Sequence, residues 1–248
     1  MGAAASYKTV SAALADGKSQ ADVDAYLAEN KSVKVHGMTL SSNSMGPALL
    51  AMDAKVGGLE MCDITEPQMQ KTADYAKINP YQKIPGMSDA ATGVNMGEST
   101  AILRYLALQY APAMYPVADP AACAKIDMAM DNFVGEVYPK HVGVVYVVLG
   151  FVPAPADQAA ASAAYTDALE KFAAVHLTGK FVAGDALSIA DYKVAPFLFP
   201  ATLPKVAEKT GFEAPPRVRQ YVDDFLAAAP AAAMLSSAGG YSFAEFLA

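Results

Sequence analysis

The spacing of apolar and polar residues predicts strands and helices in alternation near the start of the chain. Short apolar stretches predict strands at residues 33–40 and 59–64. The stretch between them, 47–56, begins with a proline and is predicted as a helix that Gly57 terminates. These three elements form a β-α-β arrangement.

A second group of elements follows around Pro85. Ile84 is predicted to be extended, because the α region is disfavoured for a residue that precedes proline. Residues 75–78 lead into this strand, a hairpin is predicted over 89–93, and a helix over 98–110. The complete β-α-β, β-β-α order is thioredoxin-like.

The rest of the chain predicts helices only. A proline-rich linker at 115–120 precedes them, and alanine-rich tracts such as 156–164 favour helix. The fold class is therefore an α/β N-terminal thioredoxin-like domain followed by an all-α C-terminal domain. The predicted parts are a helical extension at 1–32 with a Ser19–Asp22 capping box, the thioredoxin-like domain at 33–112 and the helical domain at 119–248.

Composition narrows the class of protein and its partners. The 248 residues are 54% apolar and 17% charged, and the formal net charge is −7. This composition is typical of a globular protein. Because the sequence contains no basic stripe, nucleic acid is not an expected partner. The longest apolar run, 142–152, is too short to span a bilayer, so no integral membrane segment is expected.

Targeting signals are few. Residues 1–32 contain no secretory signal, and Cys62 and Cys123 fit a reducing compartment, so we expect a cytoplasmic protein. Residues 1–6 match the N-myristoylation template, although a fraying start of small residues is the alternative. One acyl chain would give only marginal membrane binding.

Two short segments carry most of the candidate chemistry. The first reads NPYQKIP at 79–85, and the second, GESTAI at 97–102, puts Glu98 and Ser99 at the start of an apolar helix. Polar side chains and free backbone N–H groups at a helix start can hold a small anionic ligand. A strand edge beside them can bind a peptide-like molecule.

These segments resemble the N-P-x-x-K-[IV]-P and E-S-x-A-I-x-x-Y-L motifs of the glutathione S-transferase family. The match runs from Ile78 to Tyr110 and keeps the order and spacing of unlike residues. A second match at 184–191 looks like the family's G-x-x-[LIV]-[ST]-x-A-D capping element. Its Ser188 and Asp191 are predicted to form a capping box that serves folding.

The resemblance implies that glutathione binds across the thioredoxin-like domain as a co-substrate. The implied contacts are Gln82 and Lys83 for the glycyl carboxylate, the Ile84 main chain beside Pro85 for the cysteinyl backbone, Ser99 for the γ-glutamyl carboxylate and Glu98 for the ammonium. For Glu98 and Ser99 taken alone, the alternative is an ordinary helix cap.

The resemblance to serine-type members also implies that a hydroxyl at the start of the first helix activates the thiol. A gap-free alignment with theta- and delta-like members selects Ser44, while a zeta-like alignment with a gap selects Ser41 or Ser42. Helix capping is the alternative role for these serines. The arginines common near this serine and after Glu-Ser in those classes are missing, since Pro47 and Thr100 stand in those regions, which puts catalytic strength in question.

The implied activity is the transfer of glutathione thiolate to a small, electrophilic, mostly apolar molecule by a homodimer. Two alternatives stay open: a glutathione-dependent isomerase, lyase or peroxidase, and a non-catalytic binding or assembly protein on the same scaffold. The candidate walls for the second substrate, besides the serine loop, are Met128, Phe133, Tyr138, Phe243 and Phe246.

Overall fold

The structure is a computed structural model that describes residues 17, 19, 22, 32–62, 68–236 and 242–247. The helices predicted within 7–30 and the start that matches the myristoylation template lie outside these residues. Ser19 and Asp22 are described and form the predicted capping box. Each of their N–H groups donates a hydrogen bond of 3.2 Å to the other's side chain.

A four-stranded sheet forms the first domain, in the spatial order β2-β1-β3-β4. The strands are β1 (Val33–Gly37), β2 (Gly57–Met61), β3 (Gly86–Asp89) and β4 (Val94–Gly97). β1 pairs in parallel with β2 and antiparallel with β3, so that Val35 lies opposite both Leu59 and Met87. β3 and β4 form the predicted hairpin.

Among the described residues, three helices accompany the sheet: α1 (Ser42–Asp53), α2 (Ala73–Ala76) and α3 (Ser99–Tyr110), with a 3-10 turn at Met69–Lys71. Leu49 and Leu50 of α1 and Ile102 and Leu106 of α3 are buried in the core. The β-α-β, β-β-α order is therefore confirmed.

Several predicted boundaries were wrong. β1 ends at Gly37 and not at residue 40, and the helix predicted over 47–56 ends at Asp53. α1 begins at Ser42 because the Ser41 side chain caps it, accepting the N–H of Ser44, and Pro47 lies inside the helix. The missing N–H of Pro47 removes the intrahelical donor of one carbonyl, that of Asn43. β2 begins at Gly57, where a side chain would overlap the carbonyl of Val33, so only glycine permits this start.

The described residues of the second domain form helices joined by loops. Its helices are α4 (Pro120–Asn132), α5 (Tyr138–His141), α6 (Gln158–His176), α7 (Ile189–Ala201), α8 (Pro204–Thr210), α9 (Pro216–Ala228) and α10 (Phe243–Phe246), with π-helical turns at Phe133–Val137 and Val142–Tyr146 and 3-10 turns at Pro112–Met114 and Pro230–Leu235. The predicted fold class is confirmed, while the exact domain limits remain a prediction. No helix within the described ranges is long and apolar enough to cross a membrane.

Helix α7 is the centre of the second domain, and every one of its residues is buried. Its start is fixed by the predicted Ser188–Asp191 capping box, which is confirmed. The Asp191 carboxylate accepts the N–H groups of Val182 and Ser188, both at 2.8 Å, and the Ser188 hydroxyl at 3.1 Å. Burial raises the pKa of Asp191 to about 7, against these hydrogen bonds, which lower it.

The two domains meet where α1 crosses α7. A side chain on Gly46 would overlap the carbonyl oxygen of Tyr192, so the backbones touch at this point. The Tyr192 hydroxyl donates to the Asp53 carboxylate at 2.7 Å, and the N–H of Ala231 donates to the same group at 2.8 Å. Arg104 of α3 pairs with Asp127 of α4 at 2.8 Å. The packing of α1 against α7 thus fixes the relative position of the residues described next.

Candidate functional site

A cleft of about 580 Å³ lies between the two domains. Polar side chains of the first domain line one side, and aromatic side chains of the second line the other. The lining residues are Asn43, Gln70, Lys71, Asn79, Gln82, Lys83, Ile84, Pro85, Glu98, Ser99, Thr100, Phe133, Val134, Tyr138, Lys193 and Phe197.

The segment before β3 presents a free backbone edge to this cleft. The Ile84–Pro85 peptide bond is cis. The Asn79 side-chain amide donates to the carbonyl of Lys83 at 2.7 Å, and the Tyr75 hydroxyl donates to the same carbonyl at 2.9 Å, which fixes the segment. Within the described part of the chain, the Ile84 N–H and C=O have no hydrogen-bond partner. They can pair with an extended peptide-like molecule.

Lysines surround the neighbouring end of the cleft. The Gln82 side-chain amide donates to the Lys71 carbonyl, and the Lys71 ammonium donates to the Gln82 carbonyl, both at 3.0 Å. Gln82 therefore holds the loop with its side chain, while the ammonium of Lys83 is exposed beside it. This end of the cleft is suited to an anionic group.

The start of α3 supplies an acid and a hydroxyl. Glu98 has a positive φ of 64°, which is uncommon for a residue other than glycine, and its carboxylate is exposed at the cleft. Ser99 is buried, and its hydroxyl donates to Asn43 Oδ1 at 3.0 Å. The first backbone N–H groups of this helix have no partners within it. The arrangement can bind a group that carries both an ammonium and a carboxylate.

The structure does not bring the three loop serines into the cleft. Ser44, the residue predicted to activate the thiol, is 0% exposed, and its hydroxyl donates to Ser41 Oγ at 3.1 Å. A side chain on Gly37 would overlap Ser44 Oγ, so this hydroxyl is packed against β1. Ser42 is also buried. Ser41 caps α1, which is the alternative role considered for these serines.

Asn43 is the residue of this turn that faces the cleft. Its side-chain oxygen accepts the hydroxyl of Ser99 at 3.0 Å and the ammonium of Lys193 at 2.8 Å. Lysine is only a donor, so the atom facing it must be the amide oxygen and not the nitrogen. The Nδ2 of Asn43, which carries two N–H donors, has no acceptor among the described residues. It is available to a ligand.

Lys193 is a functional candidate that sequence reasoning missed. It comes from α7, is 5% exposed, and its ammonium donates to Asn43 Oδ1 and to Ser99 Oγ, both at 2.8 Å. It also lies 5.3 Å from the centre of the Phe197 ring. Burial lowers its pKa to about 8, and the nearby charge of Glu98 raises it. The available signal in the sequence was a lysine immediately before the apolar run VAPFLFP.

The apolar wall belongs to the helical domain. Phe133 and Tyr138, two of the predicted wall residues, line the cleft, and the rings of Tyr138 and Phe197 pack edge to face at 5.4 Å. Met128 is exposed and does not line the cleft, and Phe243 is buried in the core. The side chain of Phe246 lies outside the described part of the structure.

Comparison with known proteins adds sequence relatives. The model of the glutathione S-transferase N-terminal domain matches residues 50–109. Glutathione S-transferase GstB of Escherichia coli K12 is 32% identical over 130 residues, which are 51% of this chain and 62% of that protein. The glutathione S-transferase-like protein LUC7 of a Fusarium species is 36% identical over 150 residues, 56% of this chain and 64% of that protein. The match therefore covers less than two thirds of either relative.

Solved structures share the fold. The silkworm (Bombyx mori) glutathione transferase BmGSTD1, in a complex with GTT, gives a TM-score of 0.70 at 20% identity and covers 87% of this chain and 96% of its own. A delta-class glutathione transferase of Nilaparvata lugens gives a TM-score of 0.64 at 23% identity and covers 80% of this chain and 90% of its own. The domain match, the relatives and this fold thus make the chain similar to proteins of the glutathione S-transferase family.

Proposed function

We propose that the protein is a glutathione transferase, which joins the thiolate of glutathione to a small, electrophilic, mostly apolar molecule. One observation carries the proposal: the unpaired main chain of Ile84, the carboxylate of Glu98 and the start of α3 at Ser99 line a single cleft with an apolar far wall. The names of the relatives agree with this activity.

Each part of glutathione has a partner of matching chemistry in this cleft. The cysteinyl backbone pairs with the Ile84 main chain beside Pro85, as a short added strand. The γ-glutamyl carboxylate accepts the free N–H groups of α3 and the Ser99 hydroxyl, whose single proton turns from Asn43 to the ligand. The γ-glutamyl ammonium pairs with Glu98.

The glycyl carboxylate lies at the other end of this strand. The Lys83 ammonium is exposed there, while the Gln82 side chain already bonds the carbonyls of Lys71 and Thr72. We therefore assign Lys83 to direct binding of the glycyl carboxylate. Gln82 instead maintains the shape of the loop, through its side-chain hydrogen bonds and its backbone, which has a positive φ of 51°.

Activation of the thiol falls to Asn43. Its Nδ2 hydrogens can donate to the sulfur, and the N-terminus of α1 adds a favourable dipole, so the thiolate is stabilised over the thiol. The thiol proton leaves to solvent, the sulfur forms a bond to the electrophilic carbon, and the leaving group departs with the electron pair. The apolar wall, in which Val134 and Tyr138 are the accessible side chains and Phe133 is buried, holds the second substrate close to the sulfur.

A second candidate is a non-catalytic glutathione-binding protein. It is favoured by one observation: none of the three loop serines lines the cleft, and Ser44 is buried against β1. An amide donor stabilises a thiolate without being able to take its proton. In this case glutathione binds, but the second step does not follow.

Two measurements distinguish the transferase from the non-catalytic binding protein. Calorimetry measures the binding of glutathione, and an activity assay then measures the turnover of chlorodinitrobenzene. We expect the parent and Glu208→Gln, which changes an exposed acid of α8, to bind equally, and Glu98→Gln and Ser99→Ala to bind at least about tenfold more weakly. Binding and turnover together support the transferase. Binding without turnover of any electrophile supports the second candidate, and failure of the parent to bind glutathione overturns both.

We also propose that the protein is a homodimer, as the family resemblance implies. The chain has a mass of 25.8 kDa, so light scattering on a sizing column should give about twice that value. A mass equal to one chain across micromolar concentrations would contradict this.

A further inference from the structure

The ammonium of Lys193 is buried without an acidic partner. The side chain is 5% exposed, in a helix whose residues are all buried. None of the ion pairs among the described residues includes it. Burying a charge is costly unless it is paired, and a methionine or leucine would fill this position in an apolar helix without that cost. The position therefore requires an explanation beyond packing.

The ammonium is also incompletely hydrogen-bonded. It has three N–H donors, and two of them reach neutral acceptors, the Asn43 amide oxygen and the Ser99 hydroxyl, both at 2.8 Å. The third has no acceptor in the described part of the structure. Since Lys193 lines the cleft, a ligand entering it can supply the missing acceptor and the missing negative charge together.

We propose that Lys193 binds the α-carboxylate of the γ-glutamyl residue of glutathione, beside Ser99, so that the helical domain contributes a charged contact to the glutathione site. This inference rests on the proposed function. It adds Lys193, which is 94 positions from Ser99 in the chain, to the residues that bind glutathione, and it explains the buried charge by ligand recognition.

The order of charges in the cleft selects the carboxylate end of the ligand. Glu98 and Ser99 are adjacent, and the ammonium of Lys193 is bonded to Ser99 and attracted to Glu98. An α-amino acid head group carries its ammonium and its carboxylate on one carbon. It can therefore place the ammonium at Glu98 and the carboxylate between Ser99 and Lys193, and each charge meets its opposite.

The test is a cycle that varies the protein and the ligand together. The ligands are S-methylglutathione, which has no thiol to ionise, and the same molecule with the γ-glutamyl residue replaced by γ-aminobutyrate, which lacks only the α-carboxylate. The proteins are the parent, Lys193→Met, and Lys209→Met as a control that removes an exposed lysine of α8. Dissociation constants are measured by calorimetry.

We expect the parent and Lys209→Met to bind S-methylglutathione about 10- to 100-fold more tightly than the analogue, because a charged hydrogen bond is lost. In Lys193→Met this ratio should fall to about threefold or less, the remainder coming from Ser99. Lys193→Gln, which keeps a donor to Asn43 without the charge, should behave likewise and serves if the methionine variant does not fold.

An unchanged ratio in a folded Lys193 variant would overturn the inference, because the lysine would then act on both ligands equally. A parent that binds S-methylglutathione without preferring its carboxylate would overturn the inference alone. A parent that binds neither S-methylglutathione nor glutathione would overturn the proposed function as well.

Discussion

The Lys193 ammonium lies 2.8 Å from the hydroxyl oxygen of Ser99 and joins the two domains at the polar end of the cleft. Asn43 completes the group, because its side-chain oxygen accepts from both residues. Three elements, α1, α3 and α7, thus meet at one point. The position of this point depends on the contact between the two domains.

Asn43, and not Ser44, is expected to control the reactivity of bound glutathione. Asn43→Ala removes the free amide donors at the cleft, so the thiol pKa of bound glutathione should rise and kcat/KM for chlorodinitrobenzene should fall about tenfold or more. Ser44→Ala removes a hydroxyl packed against β1, and kcat/KM should stay within about threefold of the parent. The ultraviolet absorbance of the thiolate, followed against pH, measures the first effect. The opposite ranking of the two variants would restore Ser44 as the activating group.

Lys193→Met is expected to be more stable than the parent at pH 7. The lysine is protonated at pH 7 in both the folded and the unfolded chain, because its pKa is about 8 in the folded protein and 10.5 in its ordinary state. The folded parent therefore bears the cost of the buried charge, up to about 3 kcal/mol for a shift of this size. As the pH rises from 8 towards 10.5, the folded state loses the proton first, and this cost is relieved.

Urea unfolding at pH 7 and pH 10 checks this expectation. The advantage of Lys193→Met should shrink at pH 10, while Lys209→Met, which changes an exposed lysine, should show no such trend. Among the charged groups lining the cleft, Glu98 raises the pKa of Lys193, and Lys71 and Lys83 stand at the other end. A destabilised Lys193→Met at pH 7 would mean that the lysine stabilises the fold.

Gly46→Ala is expected to destabilise the protein by about 1–3 kcal/mol, because the added methyl group must separate α1 from α7. Gly135→Ala is the matched control, since nothing lies within 4 Å of the methyl group it adds. That change should be neutral or stabilise by up to about 1 kcal/mol through helix propensity. Equal effects of the two substitutions in urea unfolding would rule out a tight contact at Gly46.

Asp191→Ala should cost about 3–5 kcal/mol, because three buried donors lose their acceptor. Asp157→Ala removes a comparable cap from α6, but at the surface, where water replaces it, and should cost about 1 kcal/mol. Thermal unfolding of both variants gives the comparison. A loss at Asp191 no greater than at Asp157 would show that its buried hydrogen bonds contribute little.

The sequence predicts the fold class well because the motif residues have local roles. Pro85 follows an extended residue, and Ser188 and Asp191 bond within one helical turn, so their geometry can be inferred from nearby positions alone. The start of α1 could not be inferred in this way, because Pro47 is usual in a first turn and lies here in the second.

The residues of the cleft are harder to predict. Successive residues of a helix point about 100° apart, so the choice between Asn43 and Ser44 depends on how α1 is rotated against β1. Lys193 reaches Asn43 across 150 positions of the chain, and nothing near it in sequence indicates this contact. Its role depends on the packing of α7, which is a property of the whole core.

The backbone contact between Gly46 and Tyr192 constrains the geometry of the polar end of the cleft. Because α1 cannot slide along α7 at this contact, the distance between Asn43 and Lys193 is set by the packing of the two helices and not by the substrate. The side chains that can change the shape of the cleft are Val134 and Tyr138, which lie at or beside a π-helical turn at the opposite wall. For the proposed transferase, we expect substitutions at these residues to change which acceptor molecule is used and to leave the binding of glutathione unchanged.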